Sequence, residues 1–263
     1  MSSDAPLLQV INIGKIFNQR SWLLSRKQVT AIESASFTLN PGETLALVGE
    51  AGSGKSTLAR ILAGVVAPSH GEIKVDGQSL EFADYEQRCK LIRMIFQDPN
   101  SSLNPRLRIG RILEAPLMLN TDMSPSERAY KVQETLRLVG LLPEHALFYP
   151  QMISAGQKQR VALARAFIMS PKIIVADESF SNLDLSVRSQ IINLLLKLQA
   201  ELGIAYVIVA NDLGLVRHIS DKVIIMDQGK MIESGLTREV FANPQHEITK
   251  RLLQSYIHEY RRA

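Results

Sequence analysis

The sequence predicts an α/β fold with a mostly parallel sheet, an antiparallel edge and an inserted helical subdomain. Short apolar runs that are rich in β-branched residues and flanked by turn or polar residues indicate buried parallel strands. These runs are Leu45–Val48, Ile173–Ala176, Val207–Ala210 and Val223–Met226. A chain of 263 residues is long enough for one large domain of this kind. We therefore expect residues 1–263 to form a single domain.

The loop after the first of these runs carries the most specific motif. Its sequence, Gly49-Glu50-Ala51-Gly52-Ser53-Gly54-Lys55-Ser56, matches G-x-x-x-x-G-K-[ST] and precedes a predicted helix from Thr57 to Ala63. In this context backbone N–H groups converge on the phosphates of a nucleotide, Lys55 adds a positive charge and Ser56 is placed to bind Mg²⁺. The alternative is a glycine turn that matches by chance, but it does not account for the flanking strand and helix. The motif predicts a nucleotide site formed by Gly49 to Thr57.

Weaker patterns predict the elements on either side of this core. The stretch from Leu7 to Leu39 alternates apolar and polar residues, which indicates antiparallel strands at one edge of the sheet. Residues Asn18–Gln28 are expected to form a long loop, in which Trp22 either packs under the loop or lies near the nucleotide base. Residues Gly71–Gly77 read as a further strand closed by a turn.

Between about residues 100 and 165 the pattern becomes helical and carries several prolines, which predicts the inserted subdomain. Its clearest helix is Ser126–Val139, with Ser124-Pro125 as cap and first turn and Gly140 as its stop. Residues from about 235 to 263 are expected to form a C-terminal extension.

Composition excludes several other classes of protein. The 30 basic and 26 acidic residues give a net charge of +4 without a long basic block, so no nucleic-acid partner is expected. The single cysteine, Cys89, excludes an internal disulfide and a C-x-x-C metal site, and is expected to be buried or half-buried. No signal peptide is evident, and no apolar run approaches the roughly 18 residues of a membrane span. A cytosolic location is expected, with any membrane role depending on a partner.

A pair of carboxylates ends the second apolar run. Asp177 and Glu178 follow Ile173–Ala176, and the carboxyl end of a parallel strand faces the crevice where ligands bind. Asp177 is expected to hold Mg²⁺ or its waters, and Glu178 to polarise the water that attacks the γ-phosphate. Such a pair alone is more often a helix cap, so its meaning depends on the phosphate-binding loop upstream.

Between the loop and the acidic pair lies Ile153-Ser154-Ala155-Gly156-Gln157. Taken together, the segments resemble the ATP-binding subunits of ABC transporters, whose signature is Leu-Ser-Gly-Gly-Gln. The resemblance covers Leu7 to Leu253 and implies further roles. The signature residues that would contact the opposite subunit's ATP are Ser154, Ala155, Gly156 and Gln157. The resemblance also implies that Gln97 takes part in catalysis and Mg²⁺ binding. It further implies that Asp184 belongs to the loop after the catalytic glutamate and that Phe17 stacks on adenine.

Two segments resemble one branch of this family more closely. Residues 97–106 are similar to the glutamine-loop extension of the peptide and nickel uptake branch, and residues 243–252 to its C-terminal segment, with Glu247-Ile248 in place of Pro-Tyr. Within that branch the chain most resembles the second ATPase of Sap-type peptide transport systems. With Cys89 as its only cysteine, it lacks the C-terminal iron–sulfur cluster of other members.

The chain departs from the family pattern at two functional positions. Asn211 stands where the family has a histidine, and an amide cannot carry a positive charge or relay a proton. Ala155 replaces a signature glycine, and its Cβ would hinder a left-handed backbone or a close approach to phosphate. His218 is too far along the chain to replace the histidine and is expected on a helix face. Both departures favour pairing with a second, different ATPase subunit.

The resemblance implies an ATPase subunit on the cytoplasmic face of the inner membrane that uses ATP and Mg²⁺ to energise peptide transport. The expected partners are two integral membrane permease subunits, a second ATPase subunit and, indirectly, a periplasmic binding protein. The alternative is a soluble ABC-type ATPase of DNA repair or translation, but the chain lacks the second cassette, coiled-coil arm or basic linker that such proteins usually carry. A P-loop kinase outside the family would have no use for the signature segment.

Overall fold

The computed structural model describes residues 5–20, 26–96, 102–181 and 183–260, with the backbone alone described at residues 19, 20, 26, 27 and 257–260. Within these ranges ten strands form one sheet in the order β5-β4-β1-β2-β10-β9-β3-β8-β7-β6. The strands are β1 (Leu8–Arg20), β2 (Arg26–Leu39), β3 (Thr44–Gly49), β4 (His70–Val75), β5 (Gln78–Ser79), β6 (Ile92–Ile95), β7 (Ile173–Asp177), β8 (Ala205–Val209), β9 (Lys222–Asp227) and β10 (Lys230–Leu236).

Nine α-helices lie within the same described ranges. They are α1 (Lys55–Leu62), α2 (Tyr85–Leu91), α3 (Ile109–Asn120), α4 (Pro125–Leu138), α5 (Ala155–Phe167), α6 (Leu185–Leu202), α7 (Leu213–Ile219), α8 (Thr237–Ala242) and α9 (Glu247–Tyr260), with 3₁₀ turns at Pro143–Leu147 and Pro150–Met152. Helices α3, α4 and α5 lie between β6 and β7, where the helical subdomain is predicted. None of the helices in the described part of the chain has the length and apolar character needed to cross a membrane.

The parallel core of the sheet consists of β6, β7, β8, β3 and β9, paired in that order. The four strands predicted from apolar runs are confirmed as β3, β7, β8 and β9. Neighbouring residues on β7 belong to different hydrophobic clusters. Ile174 packs with α3, α4, α5 and α6, whereas Val175 packs with α1 and the antiparallel strands. Both faces of the core are therefore buried, which explains why its strands read as continuous apolar runs.

The antiparallel edge is also confirmed, because β1 pairs with both β2 and β4, and β4 with β5. The predicted loop at Asn18–Gln28 is wrong at both ends. Asn18 pairs with Gln28, and the ladder continues to Arg20 and Arg26. A polar ribbon at the sheet edge is held by its backbone hydrogen bonds and gives no burial pattern for the sequence to reveal. Trp22 belongs to residues 21–25, which are outside the described residues, so its predicted placement stays a prediction.

Helix α4 begins and ends within one residue of its predicted bounds. The Ser124 hydroxyl accepts a hydrogen bond from the Glu127 N–H, and the Glu127 carboxylate accepts one from the Ser124 N–H at 2.7 Å, which forms a capping box. The hydrogen bonds from Ser124 hold the pKa of Glu127 below its usual value. Gly140 follows the helix with a φ of 74°, the left-handed conformation that stops it.

We expect Ser124→Ala to lower the free energy of unfolding by about 1 kcal/mol, because it removes the capping hydroxyl and leaves a helix N–H without its partner. Ser189→Ala is the matched control, since Ser189 is an exposed serine inside α6 whose hydroxyl bonds only the Leu185 carbonyl one turn back. Denaturant unfolding of both variants measures the difference. Equal effects would show that the cap does not stabilise α4.

Candidate active site

The phosphate-binding loop, or P-loop, connects β3 to α1 through three glycines with positive φ. Gly49 has a φ of 152°, and a Cβ there would lie 2.1 Å from the Met226 carbonyl oxygen. Gly54 has a φ of 106°, and its Cβ would lie 2.5 Å from the Ala31 carbonyl oxygen. Helix α1 has no side-chain cap at Gly54, so its N-terminal N–H groups are available to an anion. Glycine at these two positions is thus a steric requirement of the loop.

Lys55 is buried at the start of α1 and points back across the loop. Its Nζ lies 2.8 Å from the carbonyl oxygens of both Gly49 and Glu50, and 3.4 Å from the Ser53 hydroxyl. Burial lowers the pKa of Lys55, whereas the negative charges of Glu178 and Asp177 raise it. This buried ammonium group is therefore directed toward the same place as the two carboxylates from β7.

The Ser56 hydroxyl donates a hydrogen bond to Asp177 Oδ1 at 2.7 Å, which joins the P-loop to the end of β7. Asp177 is almost fully buried, and its Oδ2 lies 3.4 Å from the Arg60 guanidinium. A hydroxyl and a carboxylate oxygen are the ligand types that Mg²⁺ prefers in nucleotide sites. These residues therefore fit the predicted metal, and Ser56 and Asp177 are placed to hold it.

Glu178 has a φ of 47°, a left-handed conformation that is uncommon for residues other than glycine. The backbone on both sides of it is anchored. The Glu178 N–H donates to the Val209 carbonyl at 3.2 Å, and the buried Ser179 hydroxyl donates to the Ile95 carbonyl at 2.7 Å. Gln159, fully buried on α5, donates to the Ser179 carbonyl at 3.0 Å. The surrounding structure therefore anchors the backbone that carries Glu178.

Asn211, which follows β8, contacts this carboxylate directly. Its Nδ2 donates a hydrogen bond to Glu178 Oε1 at 2.9 Å. The next residue, Asp212, caps α7 through the Gly214 and Leu215 N–H groups and pairs with Arg188 at 2.8 Å. Asn211 is thus held on a fixed turn, where its amide can orient a carboxylate without adding a charge. His218 is exposed on α7, as expected.

The signature segment forms the start of α5. Ser154 caps the helix by accepting from the Gln157 N–H at 3.2 Å, and the Gln157 side chain accepts from the Ser154 N–H at 3.0 Å. Ala155 is the first residue of the helix and does not have a positive φ, so its Cβ causes no backbone strain. At Gly156 a Cβ would lie 3.3 Å from Val187 on α6. The side chains of Ser154 and Gln157 thus bond each other's backbone, and the Gln157 amide also contacts His145 at 3.1 Å.

The remaining predicted residues belong to several different elements. Phe17 is partly exposed on β1, with the Lys15 Nζ 4.9 Å from the centre of its ring. Asp184 occupies the N-cap position of α6 without a side-chain cap bond. Ala51, Gly52 and Thr57 complete the P-loop and the first turn of α1. Gln97 lies outside the described residues, so its predicted role stays a prediction.

An open cleft of about 1010 Å³ lies beside the P-loop. One wall consists of the loop residues Gly49, Glu50 and Ala51, and another of Asn211 and the residues that follow it. Helices α6 and α9 complete the cleft. A parallel sheet whose strand ends carry a glycine-rich loop, a buried lysine and an acidic pair defines a P-loop NTPase.

Comparison with known proteins identifies the family. A family model described as ABC transporter matches residues 32–181. The chain is 52% identical over 253 residues to the putrescine export system ATP-binding protein SapF of Escherichia coli K12, an alignment that covers 96% of this chain and 94% of that protein. The chain belongs to the ABC transporter family and is an ATP-hydrolysing subunit of such a transporter.

A second relative and a solved structure agree with this assignment. The peptide transport system ATP-binding protein SapF of Escherichia coli O6:H1 is also 52% identical, with the same coverage of both chains. A dimeric ATP-binding cassette solved in a post-hydrolysis state with ADP and Pi is 29% identical, with a TM-score of 0.75, and the match covers 88% of this chain and 99% of that one. The predicted fold class and the resemblance to Sap-type ATPases are thereby confirmed.

Two residues of the site were not predicted from the sequence. Arg60 follows Ser56 by four positions in α1, and both side chains contact the Asp177 carboxylate. Residues four apart lie on the same face of a helix, so this spacing could have indicated Arg60. Arg251 on α9 pairs with Glu50 in the P-loop at 2.6 Å. The two partners are 201 residues apart in the chain, and no local pattern indicates that they meet.

The contact between Asn211 and Glu178 leads to a prediction. We expect Asn211→Asp to reduce ATP hydrolysis by roughly ten- to one-hundred-fold, because it replaces a donor to a charged group with a second negative charge. Asn193→Asp is the control, since it adds the same charge to the same cleft from an exposed position on α6. Phosphate release by each purified variant measures the effect. Equal rates for the two variants would show that Asn211 does not orient Glu178.

Proposed function

We propose that this chain energises the transport of peptides across the inner membrane from its cytoplasmic face. The observation that carries the proposal is the linked set of contacts at the strand ends. Ser56 bonds Asp177, and Asn211 bonds Glu178, beside a buried lysine. In this proposal ATP closes a pair of ATPase subunits, and hydrolysis followed by product release reopens them. The two states differ in their affinity for ATP and ADP, which supplies the work.

The same geometry supports catalytic roles for Glu178, Asn211 and Lys55, and the family resemblance supports the other roles. Glu178 orients the attacking water, Asn211 holds the Glu178 carboxylate, and Lys55 neutralises charge on the phosphates. Ser56, Asp177 and Gln97 would hold Mg²⁺, which would neutralise charge on the phosphate oxygens. Phe17 stacks on adenine, and Asp184 and residues 154–157 face the ATP of the opposite subunit. These roles match the chemistry that each described side chain offers in its position.

A second cleft, of about 730 Å³, supports contact with a membrane subunit. It opens between the end of α1, β6 and α5, next to Phe96 and Ser102. Val65, Tyr85 and Phe96 line it with exposed apolar surface, and Arg93 and Arg165 are half-buried within it. Burial and the charge of Arg93 both lower the pKa of Arg165, and the described lining residues include no carboxylate. Two permease subunits are the expected partners, with a periplasmic binding protein acting through them.

The names of the relatives give two candidate cargoes. One Escherichia coli relative is called a peptide transport protein and the other a putrescine export protein, at the same identity to this chain. We propose peptides, because residues 97–106 and 243–252 resemble the peptide and nickel uptake branch and the chain within it most resembles the second ATPase of Sap-type peptide transport systems. Uptake of a labelled peptide and export of labelled putrescine by cells that lack the chain would decide between the two. Loss of putrescine export alone would replace the peptide assignment.

The departures at Asn211 and Ala155 support a heteromeric pair. An amide at position 211 holds Glu178 but cannot relay a proton, so the site on this chain's P-loop is expected to hydrolyse ATP slowly. The helical backbone at Ala155 removes the conformational objection to that residue but leaves its methyl group in the signature. A second, different ATPase subunit with the usual residues would supply the faster site.

Co-purification tests the assembly. We expect tagged Glu178→Gln to retain ATP and trap the closed pair, because an amide cannot act as the base while the phosphate-binding residues remain. The variant is purified with ATP and Mg²⁺ from solubilised membranes of its host, and Glu178→Gln combined with Lys55→Ala serves as the control that loses the trap. Recovery of two permeases and a different ATPase supports the proposal. Recovery of ribosomes or DNA would favour the alternative among soluble ATPases.

Hydrolysis rates test the division of labour within the pair. We expect ATP hydrolysis per chain to be higher in the heteromeric pair than in this chain alone, because only the second subunit's site carries the usual residues. The same measurement with Asn211→His should raise the rate of this chain alone, since an imidazole can take up the proton. The heteromeric proposal would be contradicted if the rate of ATP hydrolysis per chain were the same for this chain alone and for the pair.

A further inference from the structure

Glu50 places a negative charge inside a loop that binds anions. It is the second residue of the P-loop, and its backbone carbonyl accepts a hydrogen bond from the Lys55 Nζ at 2.8 Å. The N–H groups of such a loop and of the following helix attract phosphate. A carboxylate at the same place repels phosphate, and the repulsion grows with the charge of the ligand. The loop therefore needs a means of offsetting this charge.

Arg251 on α9 provides the opposite charge. Its Nη2 lies 2.6 Å from Glu50 Oε1, and this is the ion pair that Glu50 forms among the described residues. The two side chains are 62% and 51% exposed, so the pair is accessible to salt. It spans the edge of the 1010 Å³ cleft, where the P-loop forms one wall and Leu252, Ser255 and Tyr256 of α9 form another.

Helix α9 is held firmly enough to position this guanidinium. At its start the Glu233 carboxylate accepts hydrogen bonds from the Gln245 and His246 N–H groups at 2.8 and 3.0 Å. Further along, Leu252, Leu253 and Tyr256 pack against the main hydrophobic cluster. The Tyr256 hydroxyl lies so close to Gly214 on α7 that a Cβ there would be 2.3 Å away. Arg251 therefore projects from a docked helix.

We propose that Arg251 is a positioning residue for nucleotide binding. It neutralises Glu50 and holds the carboxylate toward α9, away from the place where the loop gathers phosphate. The affinity for nucleotide then depends on a C-terminal helix that belongs to neither the P-loop nor the acidic pair. The dependence is electrostatic, so it is larger for ATP than for ADP and weaker at high salt.

The test compares Arg251→Ala with Lys250→Ala in the full-length chain. Lys250 is the neighbouring cation on α9 and pairs with Glu247 of the same helix at 2.7 Å, so its removal changes the net charge equally without reaching the loop. Dissociation constants for ATP and ADP are measured by calorimetry at low and high salt. We expect Arg251→Ala to weaken ATP binding about two- to five-fold, the range of an exposed ion pair. ADP binding should weaken less, and Lys250→Ala should leave both constants unchanged.

Removing the negative charge should reverse the loss. Glu50→Gln in the Arg251→Ala background is expected to restore ATP affinity, and Glu50→Gln alone should not weaken it. The proposal is overturned if the double variant stays weak, if ATP and ADP lose affinity equally, or if Lys250→Ala matches Arg251→Ala. If Arg251→Ala does not fold, the Glu50→Gln variant alone tests the proposal. A loss of ATP affinity in that variant would overturn it, because the loss would show that the ion pair maintains the shape of the loop. Binding is measured without hydrolysis or partners, so either result leaves the transport proposal to its own tests.

Discussion

Parallel pairing of β3, β8 and β7 is the constraint on which the site depends. The ladder aligns Leu47 with Val209, and Val209 with Asp177, so three strands end at one edge of the sheet. The P-loop, Asn211 and the acidic pair each leave that edge from a different strand. A shift of one residue in any of these ladders would move each side chain into the other hydrophobic cluster, whose packing it does not fit, so packing fixes the register and the register places the functional residues. The hydrogen bond from Ser56 to Asp177 is a result of this alignment.

The parts of this structure that could be predicted from the sequence are those that depend on local residue patterns. The P-loop, its strand and its helix follow from glycine spacing and apolar runs, and the capped helix α4 follows from Ser124, Pro125 and Gly140. The antiparallel ribbon at Asn18 and Gln28 was missed because its sequence is polar and carries no alternating apolar pattern. The partners of Asp177 and Glu50 were missed for a different reason. Arg60 and Arg251 act through tertiary placement, and in the case of Arg251 the two residues are far apart in the chain.

The two departures from the family pattern differ in their consequences for this chain. At Ala155 the right-handed helical backbone tolerates any side chain, so a methyl group costs little within the chain itself. At Asn211 the difference is chemical, because the residue keeps one hydrogen bond to Glu178 and loses the ability to titrate near neutral pH. The change at Ala155 therefore leaves the backbone of this chain unstrained, whereas the change at Asn211 alters the chemistry of the group that contacts Glu178.

The conformation of Glu178 has a consequence for the stability of the chain. A glutamate in the left-handed region is less stable than glycine, or asparagine, would be at the same place, by an amount on the order of 1 kcal/mol. A chain that only bound nucleotide and never turned it over would gain stability by exchanging this residue. The carboxylate lies at a position where the backbone disfavours it, which is the usual trade between stability and activity at a strained functional position. A gain in stability at residue 178 would therefore remove the group that Asn211 contacts.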